Sequence, residues 1–180
     1  SGLIYATDAT PGSELYRFSH RTFQEYLAAR HLATGDSSTK VENFTKHIDD
    51  ENWYEAILLG IGFMAEAQPP QTDDILMLMA QLLPDKFTPQ RQRRVQLFGE
   101  AYIHILRPER AQRAQDTERV ERIHQRVMQQ LTTTMQHPAL PPRQRLDAGL
   151  LLAELKAGPG DVDKLVDINA GPALGYEFQI

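Results

Sequence analysis

The chain has 180 residues, 41% of them hydrophobic, and a formal net charge of −5. That is enough apolar material to bury one core, with or without an appended piece, and the acidic balance argues against a generic nucleic-acid binder, which carries a basic surplus. With no cysteine in the sequence, disulfide frameworks, thiolate catalysis and cysteine-ligated zinc are excluded, as suits a reducing compartment.

Two β-type runs, GLIYAT and SELYRFS, flank DATPG, whose Pro11-Gly12 pair marks a turn, so a β-hairpin is predicted at the start. From Ser19 onward the pattern is helical in period. Phe23, Tyr26, Leu27 and Arg30 share one face of the first helix, with Leu32 and Ala33 close by. Thr22 and Glu25 stand at capping-box spacing, and Ser19 is an alternative N-cap. Gly35-Asp36-Ser37-Ser38 ends that helix, and a weaker one is predicted over 40–48. The third follows the acidic Asp49-Asp50-Glu51 and carries Trp53, Ile57, Leu58, Ile61 and Met64; acidic residues suit the positive end of a helix dipole.

Thr72 or Asp73 is placed to cap ILMLMAQLL. After PDKFTPQ, Thr88 is an N-cap with Pro89 at the first helical position, and a long helix runs to about Leu106 before Pro108 stops it. Another is predicted from Arg113 to Met135, and HPALPPRQR is the clearest linker before a helix over QRLDAGLLLAELKAG. The remainder, PGDVDKLVDINAGPALGYEFQI, is glycine-punctuated and partly strand-like. The predicted fold is therefore mainly α: an N-terminal β-hairpin, then stacked antiparallel helices in a solenoid-like array without an exact repeat, then a short irregular tail. The longest apolar run, Ala56–Ala65, falls short of the ~20 residues that span a bilayer. The chain opens on Ser1-Gly2 with neither an initiator methionine nor a signal-peptide pattern, and closes within a strand-like run, so it is read as a piece of a longer cytoplasmic protein.

His20 is the one histidine whose position suggests chemistry. A helix N-terminus offers free backbone N–H groups and partial positive charge, which favour an anion, and an imidazole there can donate to phosphate. Arg17 and Arg21 are near in sequence. The competing reading is a corner histidine bonded to backbone. His47, His104, His124 and His137 lack metal-site spacing, and His31 is expected on an exposed helix surface. The basic Pro89–Arg94 cluster reads as a solvated face, the Met-rich run as core, Trp53 as a packing anchor against the first helix, and the acidic residues before it as a solvated cap. Neither a phosphate-binding G-x-x-x-x-G-K-[ST] nor G-x-S-x-G occurs. An enzyme using EAYIH or ERIHQR for acid–base work lacks a nucleophile or carboxylate pair to support it.

FSHRTFQEYLAARHLA resembles the end of the winged-helix domain in the NACHT family of signal-transducing P-loop ATPases (the STAND class), with the pattern F-x-H-x-x-F-Q-E-Y-L-A-A. Phe18, His20, Phe23, Gln24, Glu25, Tyr26, Leu27, Ala28 and Ala29 match it. The preceding residues look like that domain's wing hairpin, and ENWYEAILLGIGFM is similar to the W-x-E-x-I/L-L helix that opens the family's post-ATPase helical region. Near the other end, PPRQRLDAGLLLAELKAGPGD is similar to a HEAT-like segment of bacterial NACHT proteins. That segment commonly leads into a sulfatase-modifying-enzyme-like domain beginning V-x-I-P-A-G-x-F-x-M-G. The chain keeps Ile168, Ala170, Gly171 and Gly175 of that motif and departs at Asn169, Ala173 and Leu174.

The resemblance implies the end of a winged-helix domain over 1–36, a helical arm over 37–137, a HEAT-like segment over 138–160, and a linker or start of a C-terminal domain over 161–180. It implies that His20 reaches the phosphate of ADP in the closed, inactive state of the parent protein. ADP or ATP with magnesium would bind the parent, while this chain holds no cofactor and is not catalytic by itself. The implied partners are an upstream ATPase module and a C-terminal sensor domain of the same chain, with homo-oligomerisation on activation, in innate-immunity-like signalling. Neither membrane nor nucleic acid is implied. The alternative is a helical protein-interaction scaffold without nucleotide contact.

Overall fold

The computed structural model describes residues 4–8, 15–18, 20–106, 114 and 116–157, with side chains from Phe18 onward. Among these residues the protein is mainly helical. The helices are α1 (Arg21–Leu32), α2 (Ser37–His47), α3 (Tyr54–Ala65), α4 (Thr72–Leu82), α5 (Gln92–Glu100), α6 (Thr117–Gln136) and α7 (Pro142–Ala157). Short 3-10 turns, Glu51–Trp53 and Pro89–Arg91, precede α3 and α5, and α5 continues into a π-helical turn, Ala101–Leu106. Two backbone segments, β1 (Ile4–Asp8) and β2 (Leu15–Phe18), run antiparallel with Ile4 opposite Phe18 and an irregularity between Ala6 and Asp8. The expected hairpin's turn, over 9–14, lies outside the described residues, as do the tail from 158 onward and the connection around Pro108.

The close contact between α1 and α3 sets the first half of the molecule. The two helices run side by side in the same direction, with α2 as the return between them: Trp53 and Ala56 lie beside Arg21–Ala28, and Ala67 beside Ala33 and Thr34. They meet at Gly60. A Cβ there would stand 3.1 Å from the Phe44 ring, 3.3 Å from the Ala29 carbonyl oxygen and 3.4 Å from Leu32 Cβ. Ala29, Leu32, Phe44, Ile57 and Ile61 are buried around this point. The chain leaves α1 through Gly35, whose φ of +99° is the left-handed region that favours glycine. Asp36 then caps α2 by accepting from the Thr39 amide, and this bond with the Ser38 hydroxyl brings its carboxyl pKa down to about 2.

α2 and α4 are joined by a buried ion pair. Lys40, an almost fully buried cation, donates to Asp74 Oδ2 at 2.6 Å and Gln71 Oε1 at 2.7 Å, while Ser37 Oγ donates to Asp74 Oδ1 at 2.5 Å. Burial pushes the Asp74 carboxyl up, but the Lys40 and Ser37 hydrogen bonds outweigh it and hold it below its ordinary value. Farther on, Val95, Leu97, Phe98 and Tyr102 pack with Ile123, Val127 and Leu131 of α6 and with Leu151, Leu152 and Leu155 of α7. One apolar cluster thus runs from Leu32 to Leu155.

Several boundaries depart from expectation. α2 starts at Ser37 rather than Lys40 because Asp36 caps it. Gln71, not Thr72 or Asp73, precedes α4, and its side chain accepts from Lys40 instead of capping the helix. Thr88 does precede the turn opened by Pro89 but makes no side-chain cap bond. α6 begins at Thr117, four residues after the expected Arg113, because Asp116 accepts from the Arg119 amide and starts the helix there.

Two predictions follow from these contacts. Gly60→Ala gains helix propensity of about 1 kcal/mol but forces backbone and Cβ atoms apart, for a net loss of about 1 kcal/mol in urea unfolding. Asp74→Ala strands the buried Lys40 ammonium and should cost about 2 kcal/mol near neutral pH. Since Asp74's pKa is lowered on folding, its contribution is present above the ordinary aspartate value of 3.8 and fades as pH falls through the lower folded value. The wild-type and Asp74→Ala stabilities should therefore converge in acid.

Candidate functional site

His20 stands where β2 hands over to α1, as the residue capping the helix in extended backbone conformation (φ −133°, ψ 134°). Its own carbonyl accepts from the Phe23 amide at 3.1 Å, but its imidazole makes no capping bond. The ring is exposed and tilted against Phe23, with 6.2 Å between centroids. No acidic residue occupies the first turn of α1, so nothing on the helix itself neutralises the positive end of its dipole there. The proposed capping box does not form: Thr22 lies inside the helix, and Glu25 pairs with Arg21 Nε at 2.6 Å instead of reaching back. Ser19 and the Arg17 side chain lie outside the described residues.

The aromatic face beside His20 points away from the core. α1 turns Ala29 and Leu32 inward, so Phe23, Tyr26 and Leu27 remain 44%, 45% and 51% exposed. Tyr26 meets Phe63 of α3 edge-on at 5.4 Å, and the Arg30 guanidinium sits 5.8 Å above the same ring. The exposed Leu59 extends the apolar surface along α3.

No family model, curated protein or solved structure matches the chain.

The other residues singled out in the sequence have structural roles. Arg93 donates to the Asp49 and Asp50 carbonyls and lies 5.4 Å over the Tyr54 ring, while Arg94 pairs with the Asp49 carboxylate. The basic cluster is thus partly drawn onto the α2–α3 corner rather than being a freely solvated face, and Arg94 holds the Asp49 carboxyl below its usual range. Asp50 caps the 3-10 turn through the Asn52 amide. Trp53 stacks on His47 at 3.5 Å and fronts a cleft of about 300 Å³ toward α1; burial, followed by His31, pushes the His47 pKa down. Met79 is buried as core, whereas Met77 lines a surface groove between α2 and α4.

His31 is exposed, and its carbonyl receives Asn43 Nδ2. His104 meets Glu154 of α7 at 3.2 Å, a carboxylate partner fifty residues away that local spacing could not reveal. His124 meets the Tyr102 hydroxyl at 3.2 Å, and His137 packs on Phe87. Arg126 of ERIHQR donates to the Ala80, Leu83 and Pro84 carbonyls, closing the C-terminal end of α4. Among the described residues no cluster of three or more histidines and carboxylates is gathered as for a metal, and no helix is long and apolar enough to cross a membrane.

The two faces of α1 should respond differently to substitution. Phe23→Ser with Leu27→Ser should change the stability of this chain by no more than about 1 kcal/mol, because both side chains are half in water. Leu32→Ala, which opens a cavity under Gly60 and Phe44, should cost roughly 2–4 kcal/mol by the same urea titration.

Proposed function

We propose that this protein is the regulatory part of a NACHT-type switch protein, comprising the end of its winged-helix domain, with β1 and β2 as the wing, and a solenoid-like helical arm. In this reading His20 senses the nucleotide held by an upstream ATPase module. The arm links that module to a C-terminal sensor, and the chain itself carries out no catalysis. The observation that carries the reading is the conjunction at the start of α1: an exposed imidazole, free of any capping bond, at a helix N-terminus without a neutralising acid. Beside it lies an outward aromatic face. A purely architectural corner histidine would spend its ring nitrogens on the local backbone; this ring does not cap its helix.

The physical requirement for a switch is a contact made in one state and lost in the other. A charge-assisted hydrogen bond from His20 to a phosphate oxygen meets it, and is worth roughly 1.5–3 kcal/mol. A second reading, a helical interaction scaffold without nucleotide contact, draws on the same exposed Phe23, Tyr26 and Leu27. It predicts that His20 is dispensable for nucleotide.

The test is the nucleotide that co-purifies with the full-length parent protein, wild type beside His20→Ala. The switch reading expects stoichiometric ADP in the wild type and roughly ten- to a hundred-fold faster release in the variant. Equal retention would remove His20 from the phosphate, and folded protein with no nucleotide in either form would favour the scaffold.

A further inference from the structure

The sequence pattern sets Trp53 as a packing anchor against α1, but a cleft of about 300 Å³ lies between the two. The indole is stacked on His47 over one face, with 3.5 Å between ring centroids and 12° between planes. That stack fixes the plane of the ring, and its remaining surface fronts the cleft. Ala28 of α1 and Ala56 of α3 line the space with one methyl group each, so neither fills it.

The polar groups around the cleft leave no net charge. Arg21 and Glu25 cancel each other through their 2.6 Å ion pair. Among the described residues the Gln24 side-chain amide bonds no other group, so both its donor and its acceptor remain. Asn52 commits Nδ2 to Asp50 Oδ1 at 3.1 Å and keeps its own Oδ1. An aromatic surface flanked by amide donors and acceptors matches a neutral, planar heteroaromatic ring with donors and acceptors on its edge. An anion finds no unpaired cation among the lining side chains. The volume stands at the bottom of the ~300–1,000 Å³ range of ligand pockets, which limits the occupant to about one ring system. A bicyclic ring overlaps an indole best, and stacking of bases on aromatic side chains is a general source of affinity.

We propose that the cleft between Trp53 and α1 binds a purine base, stacked on Trp53 and read at its edge by Gln24 and Asn52. The inference does not depend on a phosphate contact at His20, and a nucleoside, which has no phosphate, tests it alone.

Trp53 is the only tryptophan in the chain, so its emission reports the cleft directly. Adenosine and guanosine are titrated into the full 180-residue chain, beside N-acetylphenylalaninamide, whose ring has no polar edge. The proposal expects a saturable change in Trp53 emission with at least one of the two nucleosides, at a Kd on the order of 0.1 mM. Gln24→Ala should weaken that binding about five- to tenfold. Ala28→Leu, which puts a larger side chain into the cleft, should abolish saturation. Gln24 is exposed, so its variant keeps the test decisive if Ala28→Leu disturbs the helix pair. Leu150→Ser, at an exposed position of α7, should leave the titration unchanged. No saturable change with either nucleoside overturns the proposal. So does undiminished binding by Gln24→Ala, or N-acetylphenylalaninamide binding as tightly as the better nucleoside.

Discussion

The contact on which the first half of the molecule depends is the approach of α1 to α3 at Gly60. Because that position has no side chain, the Ala29 carbonyl, Leu32 and Phe44 all close on it. Once Ala29 and Leu32 face inward, helical geometry leaves no freedom for the rest of α1. Phe23 and Leu27 are turned outward, Tyr26 lies at the edge of the helix pair against Phe63, and the N-terminus with His20 stays exposed. The position of the candidate site is thus a consequence of small residues meeting across a helix pair.

Around that contact the helices are tied by long cations that end on the carbonyl-rich termini of their neighbours. Arg93 reaches the Asp49 and Asp50 carbonyls at the end of α2, and Arg126 reaches Ala80, Leu83 and Pro84 at the end of α4. Lys40 closes α2 onto α4 through Asp74. Helix C-termini expose unpaired carbonyls and partial negative charge, so a guanidinium there satisfies hydrogen bonding and the dipole together. These ties join segments more than thirty residues apart. Each tie is made by a side chain of one helix to a group on, or directly after, another, so the order of the stack is fixed by polar contacts as well as by the apolar core.

Local pattern made the helical character and most of the elements legible. Apolar periodicity, Pro89 and the glycine at Gly35 each mark a boundary through the chemistry of a few neighbouring residues. The orientation of α1 was not legible, because Phe23, Tyr26, Leu27 and Arg30 form the stripe that periodicity would normally turn inward. The close packing instead selected Ala29 and Leu32, and nothing in a single helix announces that its partner carries Gly60. The same limit applies to Asp49 with Arg94, His104 with Glu154 and Lys40 with Asp74. Each pair is set by tertiary geometry across large sequence separations. His20 could be located because a strand–helix junction is a local feature; the freedom of its ring from capping could not.

The exposed face of α1 and the imidazole beside it have complementary magnitudes in the proposed switch. Covering what remains exposed of Phe23, Tyr26 and Leu27 would stabilise a docked state by roughly 1 kcal/mol per side chain. A phosphate contact at His20 adds about 1.5–3 kcal/mol. Moving a two-state equilibrium from almost wholly open to almost wholly closed takes about 5.5 kcal/mol. Neither term reaches that alone, whereas their sum, about 4.5–6 kcal/mol, brackets it. The Arg30 cation over the Phe63 ring and the part-exposed Tyr26 beside it set polar groups along the edge of this face. The half-exposed aromatic stripe is therefore suited to a surface that docks only when the phosphate contact is also made.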